Sequence, residues 1–374
     1  MLGDSPVDPQ PAEPAFFLAG SFSVPGKAGL CMKLIRTEDA VGHVLCHDIT
    51  QIIRGVTKDS VFRKGHVVTA EDIPVLLSVG KEHLYVWEKD DSMLHENEAA
   101  EILFGLCQNE HIAPTPVKEG KIECIAQING LLKVDVQRLT QINSIPDIMI
   151  ATRQTNYPVR KGEKLAGTRI IPLVIEKARM EEVRRIAGEK PLLELKPYLR
   201  KKVGIVTTGS EVYHGRIQDA FGPVLRDKFS AYDAEILGQT IADDKTEMIR
   251  EAIQAFLDQG ADLVVCSGGM SVDPDDVTPT AIQSTGARIV SYGAPVLPGA
   301  MFLLAYTPAG VPVLGLPGCV MYHDATVFDL VLPRIMAGEV IEKRDLAALG
   351  HGGLCLQCPT CHYPACGFGK GGLV

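Results

Sequence analysis

The stretch that decides the fold is residues 243–269, DDKTEMIREAIQAFLDQGADLVVCSGG. Apolar residues recur at helical spacing from Met248 to Leu257, and Gly260 follows them as a stop signal. A continuous apolar run, Leu263 to Cys266, comes next and ends in two glycines. An amphipathic helix followed by a fully apolar strand is typical of a parallel sheet that is covered by helices.

The same alternation extends through the carboxyl-terminal half of the chain. A helical segment reaches to about Met336, and the sequence predicts five strands, over 202–209, 234–241, 262–269, 288–294 and 311–318. Strands that alternate with helices favour parallel pairing with helices on both sides. We therefore predict the α/β class, with one parallel sheet that carries helices on both faces.

The length of 374 residues predicts more than one domain. We expect a disordered extension over 1–31, an N-terminal region over 32–200, an α/β domain over 201–345 and a cysteine-rich tail over 346–374. The N-terminal region should combine a smaller α+β part with a β-rich part. Within it, the patterns predict helices at 94–107 and 176–187, strands across 121–175 and a linker at 188–201.

Charge and hydropathy exclude several classes of function. The net charge of −9 and the pI near 5.6 argue against a nucleic-acid partner. No apolar run approaches the roughly 18 residues of a membrane span, and no basic segment precedes the apolar patch 15–19 as a secretory signal would require. We expect a cytoplasmic protein with no membrane partner.

Three of the predicted strands end in glycine-containing turns, 207–211, 267–271 and 315–318. Ligands of parallel α/β sheets bind beyond the carboxyl ends of the strands, and glycines let backbone N–H groups approach an anion. Plain tight turns would explain each motif alone, but three together favour a pocket for a phosphate or a pterin. The candidate substrate-binding residues are Thr208, Gly209, Ser210, Glu211, Ser267, Gly268, Gly269, Ser271, Gly315, Pro317 and Gly318.

Carboxylates follow two of these strands. Asp276 comes after the Gly-Gly turn, and Asp243 with Asp244 closes the second strand. Mg²⁺ is commonly held by one or two carboxylates together with substrate phosphate oxygens, so Asp276 is the predicted Mg²⁺ ligand. Helix capping is the alternative role for Asp243 and Asp244. A solvated turn explains Asp273 and Asp275 equally well.

Residues 202–340 resemble the molybdopterin-binding domain shared by MoeA-type molybdotransferases and MogA-type adenylyltransferases. The resemblance rests on TTGSE at 207–211, ADD at 242–244, SGGMSVDPDDVTPTAI at 267–282, PVLPGAMFLLA at 295–305 and VLGLPG at 313–318. It adds Pro298 and Gly299 to the substrate-binding candidates. Residues 32–60, which contain LIRTEDAVGHVLCHDIT, are similar to the opening of MoeA-type proteins, and residues 159–173 are similar to their β-rich insert. Together they imply a MoeA-like layout.

The chain also departs from the MoeA pattern. Ser210 stands where that group has an acidic residue, no DGYA motif occurs, the insert lacks an acidic residue within AGTRIIP, and GLPGCV replaces GLPGNP. The stretch DDVTPTAI at 275–282 is closer to the adenylyltransferase version. The carboxylates that match both groups are Asp243 and Asp276, which the resemblance implies are catalytic.

The resemblance implies molybdenum cofactor biosynthesis, with Mg²⁺-dependent chemistry at a phosphate. The reaction would be molybdate insertion into adenylated molybdopterin, or adenylyl transfer from ATP to molybdopterin. A non-catalytic molybdopterin carrier is an alternative. So is a nucleotide pyrophosphatase, because residues 208–219, TGSEVYHGRIQD, are similar to CinA-type proteins. A homodimer is expected because dimers are usual in the group.

The tail contains four of the ten cysteines, Cys355, Cys358, Cys361 and Cys366, spaced C-x2-C-x2-C-x4-C. Four thiolates at such spacing suit Zn²⁺ or an iron–sulfur cluster, and His362 is a substitute ligand. A flexible tail with free thiols is the alternative. Because the tail lacks a core of its own, we expect it to fold only when it binds metal.

Overall fold

The computed structural model describes residues 32–53, 57–87 and 92–371 and divides into two compact units, 1–91 and 92–374. The predicted disordered extension, 1–31, lies outside the described residues. The boundary predicted between residues 200 and 201 lies inside the second unit, and a separate domain there stays a prediction. Across the described ranges, no helix has the length and apolar character needed to cross a bilayer.

The first unit is a small α+β structure with its own core. Strands β1 and β4 pair antiparallel, as do β2 and β3. Leu45, Ile49, Leu76 and Leu84 are buried between these strands and the helix. The elements are β1 (Met32–Arg36), a short 3-10 helix (Thr37–Asp39), β2 (Ile49–Ile53), β3 (Thr57–Phe62), α1 (Asp72–Ser78) and β4 (His83–Trp87).

The second unit begins with a β-rich part that contains three helices. Its strands form a four-stranded sheet in the order β6-β7-β11-β9, a three-stranded sheet β10-β8-β13, and the pair β12-β5. The elements are β5 (Met93–His95), α2 (Glu96–Cys107), β6 (Ile112–Pro114), β7 (Ile122–Ala126), β8 (Gly130–Val134), α3 (Val136–Asn143), β9 (Ile148–Thr152), β10 (Tyr157–Val159), β11 (Lys164–Ile170), β12 (Val174–Glu176), α4 (Lys177–Ala187) and β13 (Leu193–Pro197).

Two predictions for this part need correction. The expected linker 188–201 contains β13, which pairs antiparallel with β8. Leu193 and Leu195 alternate with polar neighbours and are buried, so this stretch pairs as a strand although it is rich in charge. Helix α3 interrupts the predicted strands, and the Asp135 side chain caps it by accepting the Arg138 N–H at 2.9 Å.

The remainder of the second unit is built around a six-stranded sheet. The strand order is β15-β14-β16-β19-β18-β17. The elements are β14 (Lys202–Thr208), α5 (Ser210–Tyr213), α6 (Phe221–Ser230), β15 (Glu235–Ala242), α7 (Thr246–Asp258), β16 (Leu263–Ser267), α8 (Thr278–Ser284), β17 (Arg288–Tyr292), β18 (Leu303–Tyr306), β19 (Pro312–Leu316), a 3-10 helix (Gly318–Met321), α9 (Val327–Met336) and α10 (Lys343–Ala348).

The predicted α/β class is confirmed, and the sheet is parallel over β15, β14, β16 and β19. It is not parallel throughout, because β18 pairs antiparallel with both β19 and β17. Strand β18 was not predicted. It joins β19 through a tight turn in which Gly310 N–H donates to the Thr307 carbonyl at 2.8 Å, and this short hairpin enforces the antiparallel direction.

Helices cover both faces of the sheet, as predicted. Helices α6 and α9 bury Leu225, Phe229 and Phe328 against one face. Helix α7 buries Ile253 and Phe256 against the other, together with α8. Gly204 of β14 permits this contact, since a Cβ atom there would lie 2.4 Å from Phe256 Cγ. The helix therefore packs directly on the strand that leads into the first glycine turn.

An ion-pair cluster joins the β-rich part to the end of α9. The Glu339 carboxylate accepts hydrogen bonds from Lys133 at 2.8 Å, Lys196 at 3.2 Å and Arg334 at 2.8 Å. Its side chain is 9% exposed. Burial alone would raise the pKa of Glu339, but the hydrogen bonds from Lys133 and Arg334 outweigh it and lower the pKa to about 2.

Candidate functional site

The three glycine turns predicted from the sequence lie at one edge of the six-stranded sheet. Strands β14, β16 and β19 are parallel neighbours, with Thr207 beside Ser267 and Ser267 beside Leu316. Because all three strands end here, the turns 207–211, 267–271 and 315–318 are adjacent. Strand β18 begins at the same edge, with Leu303 opposite Gly315. The predicted Pro298 and Gly299 precede this strand and contact Val327 at the start of α9.

The first two turns are in contact, and the glycines make that contact feasible. Gly268 has φ +93°, and a Cβ atom on it would lie 2.3 Å from the Thr208 carbonyl oxygen. Thr278, at the start of α8, donates from its hydroxyl to the Gly268 carbonyl at 3.0 Å and lies 3.2 Å from the Thr208 hydroxyl. Thr278 was not among the predicted residues, and its hydroxyl fixes both turns.

The carboxylate that the sequence analysis left open, Asp244, is central to this edge. Its Oδ2 accepts the Ser210 N–H at 2.7 Å and so ties the end of β15 to the first turn. Burial raises the pKa of Asp244. The negative charges of Glu211, Asp243 and Asp276 raise it further. The Asp244 carboxylate is thus repelled by three other carboxylates at a glycine-lined edge.

Asp243, predicted to be catalytic, is buried and paired. Its Oδ2 lies 2.8 Å from Lys245 Nζ, and its Oδ1 lies 4.0 Å from His214 Nε2. The Lys245 ammonium lowers the pKa of Asp243. The helix-cap alternative is wrong for both aspartates, because α7 begins after Lys245 with no side-chain cap and their carboxylates accept N–H groups of Asp244 and Ser210 instead.

Asp276, the predicted Mg²⁺ ligand, lies in the loop between the Gly-Gly turn and α8. Its Oδ2 accepts the Asp273 N–H at 3.4 Å. Tyr292, at the end of β17, holds this loop by donating to the carbonyls of Met270 at 2.9 Å and Ser271 at 3.0 Å. Burial raises the pKa of Tyr292, and the charge of Asp276 raises it further. Tyr292 is a second site residue that the sequence analysis missed.

A polar network supports the first turn from behind. The Gln239 amide donates to the Thr207 hydroxyl at 2.9 Å and to the Asp219 carboxylate at 2.6 Å. Asp219 also accepts the N–H groups of Phe221 and Gly222 at the start of α6, each at 3.0 Å. The network therefore fixes the segment 208–219 relative to β14 and β15.

The carboxyl edge of the six-stranded sheet suits a divalent cation that is held partly by the protein and partly by a bound ligand. Within the described ranges, no three His, Cys, Asp or Glu side chains are arranged to hold an ion by themselves. Mg²⁺ often takes one or two protein carboxylates and completes its shell with water and substrate phosphate. The carboxylates around Asp244 fit that donor set, and backbone N–H groups of glycine-containing turns are a common means of holding phosphate oxygens.

Two family models match parts of the chain. A family model described as a probable molybdopterin binding domain matches residues 204–337. Residues 204–337 are therefore similar to a molybdopterin-binding domain. The match contains all three glycine turns and the four carboxylates. A second family model, a domain of unknown function (DUF8806), matches residues 34–88 in the first unit. The cysteine-rich tail lies beyond both matches, and the MoeA-like layout stays a prediction.

Similar curated proteins cover a small part of the chain. A CinA-like protein of Mycobacterium avium (strain 104) is 42% identical over 77 residues, which are 21% of this chain and 18% of that protein. A CinA-like protein of Mycobacterium tuberculosis (strain H37Rv) is 39% identical over 77 residues, with the same coverage. The chain thus matches less than a fifth of the length of these relatives.

Among solved structures, the molybdopterin biosynthesis enzyme MoaB of Thermus thermophilus is 20% identical with a TM-score of 0.30. The likeness covers 37% of this chain and 98% of MoaB. A molybdenum cofactor biosynthesis protein of Pyrococcus furiosus is 11% identical with a TM-score of 0.24, over 82% of this chain and 63% of that one. Similarity at this level does not establish a shared function.

The predicted cysteine site lies outside residues 204–337, which match the family model. Cys355, Cys358, Cys361 and Cys366 all carry free thiols, and the structure does not place three of them around one point. The tail packs on the domain. Phe368 is 4% exposed in the main core, and the Tyr363 hydroxyl donates to the Asp329 carbonyl at 2.7 Å.

Proposed function

We propose that this chain acts in molybdenum cofactor biosynthesis by binding molybdopterin at the carboxyl edge of the six-stranded sheet. The single observation that carries the proposal is that three glycine turns meet the Asp243–Asp244 pair at one edge of a sheet whose residues match a probable molybdopterin binding domain. Repulsion among its carboxylates would be relieved by a cation that also neutralises a bound phosphate. This arrangement supports chemistry at the terminal phosphate of molybdopterin.

The residues take distinct roles in this proposal. Asp276 and Asp244 hold Mg²⁺, which supplies charge neutralisation at the phosphate. The backbone N–H groups of the turns 207–211 and 267–271 hold phosphate oxygens. Asp243 is already neutralised by Lys245, so it acts by positioning the Lys245 ammonium near the ligand. Asp244, rather than Asp243, is therefore the second metal-binding carboxylate.

Two transfer reactions fit this edge. In adenylyl transfer, the terminal phosphate of molybdopterin attacks the α-phosphate of ATP and pyrophosphate leaves. In molybdate insertion, adenylated molybdopterin is hydrolysed to AMP while molybdate enters the dithiolene. The departures at Ser210 and in GLPGCV remove positions typical of molybdotransferases, and DDVTPTAI favours adenylyl transfer. We expect adenylyl transfer to be the faster of the two.

A CinA-like nucleotide pyrophosphatase is the second candidate, favoured by the 42% identity to a CinA-like protein over 77 residues. It would use the same carboxylates and turns, with a dinucleotide in place of molybdopterin. Products separate the candidates. Molybdopterin, ATP and Mg²⁺ should yield the adenylate if the proposal is right, whereas nucleotide hydrolysis without molybdopterin would support the pyrophosphatase, and tight binding without product would support a carrier.

Variants then test the site itself. Asp276→Asn and Asp244→Asn should each slow the Mg²⁺-dependent reaction by roughly a hundredfold or more, because a catalytic metal supplies several kcal/mol of transition-state stabilisation. Asp275→Asn is the matched control, because Asp275 is an exposed neighbour in the same loop. Equal turnover in Asp276→Asn and Asp275→Asn would remove Asp276 from the site. Molybdopterin binding that survives substitution of Gly268 would place the ligand elsewhere.

A further inference from the structure

A cavity lies where the β-rich part of the second unit meets α10 and the end of the described tail. Its volume is about 370 Å³, within the range of about 300–1,000 Å³ that is typical of small-molecule sites. The segments that line it include the loop 152–156, which follows β9, and the tail segment 369–371. None of its lining residues belongs to the three glycine turns or to the carboxylates beside them. The cavity is therefore separate from the candidate site described above.

Two cations that line this cavity approach the same aromatic ring. The Arg153 guanidinium carbon lies 4.9 Å from the centre of the Tyr157 ring, and the Lys370 ammonium lies 4.5 Å from it. The Gln154 side chain donates to the Lys370 carbonyl, which ties the tail to the loop that carries Arg153. Two positive charges from distant parts of the sequence are therefore held close together.

The two cations differ in their partners. Arg153 pairs with the Glu163 carboxylate at 2.8 Å. The Lys370 ammonium donates to the Pro364 carbonyl, and among the described residues no carboxylate pairs with it. Burial lowers the pKa of Lys370, the Cys366 thiol opposes that change, and the charge of Arg153 adds to it. An anion beside Lys370 would supply the negative partner that this ammonium lacks.

The cavity also borders the ion-pair cluster around Glu339. Arg334, a lining residue, pairs with Glu339 at 2.8 Å and with Asp345, which also lines the cavity, at 3.3 Å. The whole set contains five cations and three carboxylates, namely Arg153, Lys370, Arg334, Lys133 and Lys196 against Glu163, Glu339 and Asp345. In a chain with a net charge of −9, this local surplus of positive charge is an exception.

The cavity has apolar lining as well. Val136 and Leu139 of α3 line it, and so do Ala348 and Leu349 at the end of α10. All four side chains are half-buried. Ligand pockets commonly combine apolar walls with a few charged groups that fix the orientation of the ligand. The lining therefore suits a molecule that has an apolar body and an anionic group.

We propose that this cavity binds a small organic phosphate. A phosphate monoester carries about −1.5 to −2 charges at neutral pH, which is close to the surplus of positive charge in the set. Lys370 and Arg153 bind the phosphate group, and the apolar residues of α3 and α10 contact the organic body. The guanidinium has five N–H donors, so Arg153 keeps donors for phosphate after it pairs with Glu163. The ligand would connect the β-rich part to the tail.

The test uses the full chain in EDTA, which suppresses any Mg²⁺-dependent binding at the glycine-lined edge. Phenyl phosphate is the probe, and isothermal titration calorimetry measures its binding. It should bind at one molecule per chain. It should bind more tightly than inorganic phosphate, which lacks the apolar body, and more tightly than benzyl alcohol, which lacks the charge.

Substitution of Lys370 tests the phosphate contact. Lys370→Met should lower the affinity for phenyl phosphate by roughly tenfold or more, because a hydrogen bond between two charged groups is lost. Lys343→Met is the matched control, because Lys343 is an exposed lysine of α10 that does not line the cavity. Lys370→Arg should keep most of the affinity, which separates the loss of charge from a defect in folding.

Substitution of Leu139 tests the contact with the organic body. Leu139→Asn should weaken the binding of phenyl phosphate and leave the binding of inorganic phosphate unchanged. Melting temperatures measured by circular dichroism show whether each variant remains folded.

Equal affinities in Lys370→Met and Lys343→Met would overturn the proposal, because the probe would then bind elsewhere, for example at the glycine turns. Absence of saturable binding would also overturn it, and so would binding of benzyl alcohol as tight as that of phenyl phosphate. None of these measurements involves molybdopterin or Mg²⁺, so their failure would leave the proposed function untouched.

Discussion

Replacing Glu339 by Gln should destabilise the second unit by about 3 kcal/mol at neutral pH. The wild-type carboxyl has its pKa lowered from 4.5 to about 2. At roughly 1.4 kcal/mol for each pH unit, that difference stabilises the folded state by about 3 kcal/mol once the pH exceeds the unfolded value. Gln cannot carry the charge, so Lys133, Lys196 and Arg334 lose their common partner. Removing one partner of a buried ion pair typically lowers the free energy of unfolding by about 3–5 kcal/mol.

The pH dependence supplies the sharper test. A lowered folded pKa gives stability that is present above pH 4.5 and is lost as the pH falls towards about 2. The difference between wild type and Glu339→Gln should therefore shrink to roughly half its neutral value near pH 3. Urea unfolding followed by circular dichroism measures it, with the transition of the first unit treated separately.

Glu182→Gln is the matched control. Glu182 lies 3.9 Å from Arg185, and both side chains are largely exposed, at 51% and 75%. Its loss should change the free energy of unfolding by less than about 0.5 kcal/mol. A Glu339→Gln effect no larger than this control would refute the reasoning. So would an effect of several kcal/mol that stays constant between pH 7 and pH 3, because it could not come from the charge.

Three more outcomes follow from the glycine-lined edge. Gly268→Ala should lower the free energy of unfolding by at least about 2 kcal/mol more than Gly260→Ala does, in thermal or urea denaturation. Both glycines have positive φ, but a Cβ atom on Gly268 would meet a carbonyl oxygen, whereas the space around Gly260 is open. Equal losses of stability would contradict the close approach of the two turns. In EDTA, the Asp244→Asn variant should melt at a higher temperature than wild type, because the substitution removes a charge that burial and three neighbouring carboxylates disfavour. Added Mg²⁺ should reduce this difference in melting temperature. A lower melting temperature for the variant in EDTA would show that the repulsion is absent. Tyr292→Phe should lower the free energy of unfolding by about 1 kcal/mol, because the hydroxyl loses its hydrogen bonds to the loop. It should also raise the KM for molybdopterin more than it lowers kcat. An effect on kcat alone would assign the hydroxyl to the chemical step instead of to positioning the loop.

Much of the sheet could be predicted from sequence because its strands are apolar on both faces. Strand β16, Leu263–Ser267, is buried at every position, and no other element type explains so short an apolar run between a helix stop and two glycines. Strand β18 has the same burial, but it follows a Pro-Gly turn inside a longer motif. The turn after it, from Thr307 to Gly310, was the available signal for a hairpin.

The carboxylates show where sequence reasoning stops. Asp243 and Asp244 are adjacent, so the motif alone does not tell which one faces the ligand. That choice depends on Ser210 and Lys245, which approach from the first turn and from the start of α7. Tyr292 and Thr278 were missed for the same reason. Their contacts with the Gly-Gly turn span 22 and 10 residues of sequence and arise only from the folded sheet.

The backbone pairing between Leu297 and Leu354 anchors the cysteine-rich tail to the domain that contains the six-stranded sheet. A chain that ends at Gly350 would lack this pairing to Leu297, the residue before Pro298. It would also lack Phe368 in the core and the hydrogen bond from the Tyr363 hydroxyl to the Asp329 carbonyl. A shortened chain should then lose the proposed molybdopterin binding because the glycine-lined edge had loosened, even if the tail binds no metal. Single cysteine-to-serine substitutions leave these backbone contacts in place. They therefore separate the role of the thiols from the structural role of the tail backbone.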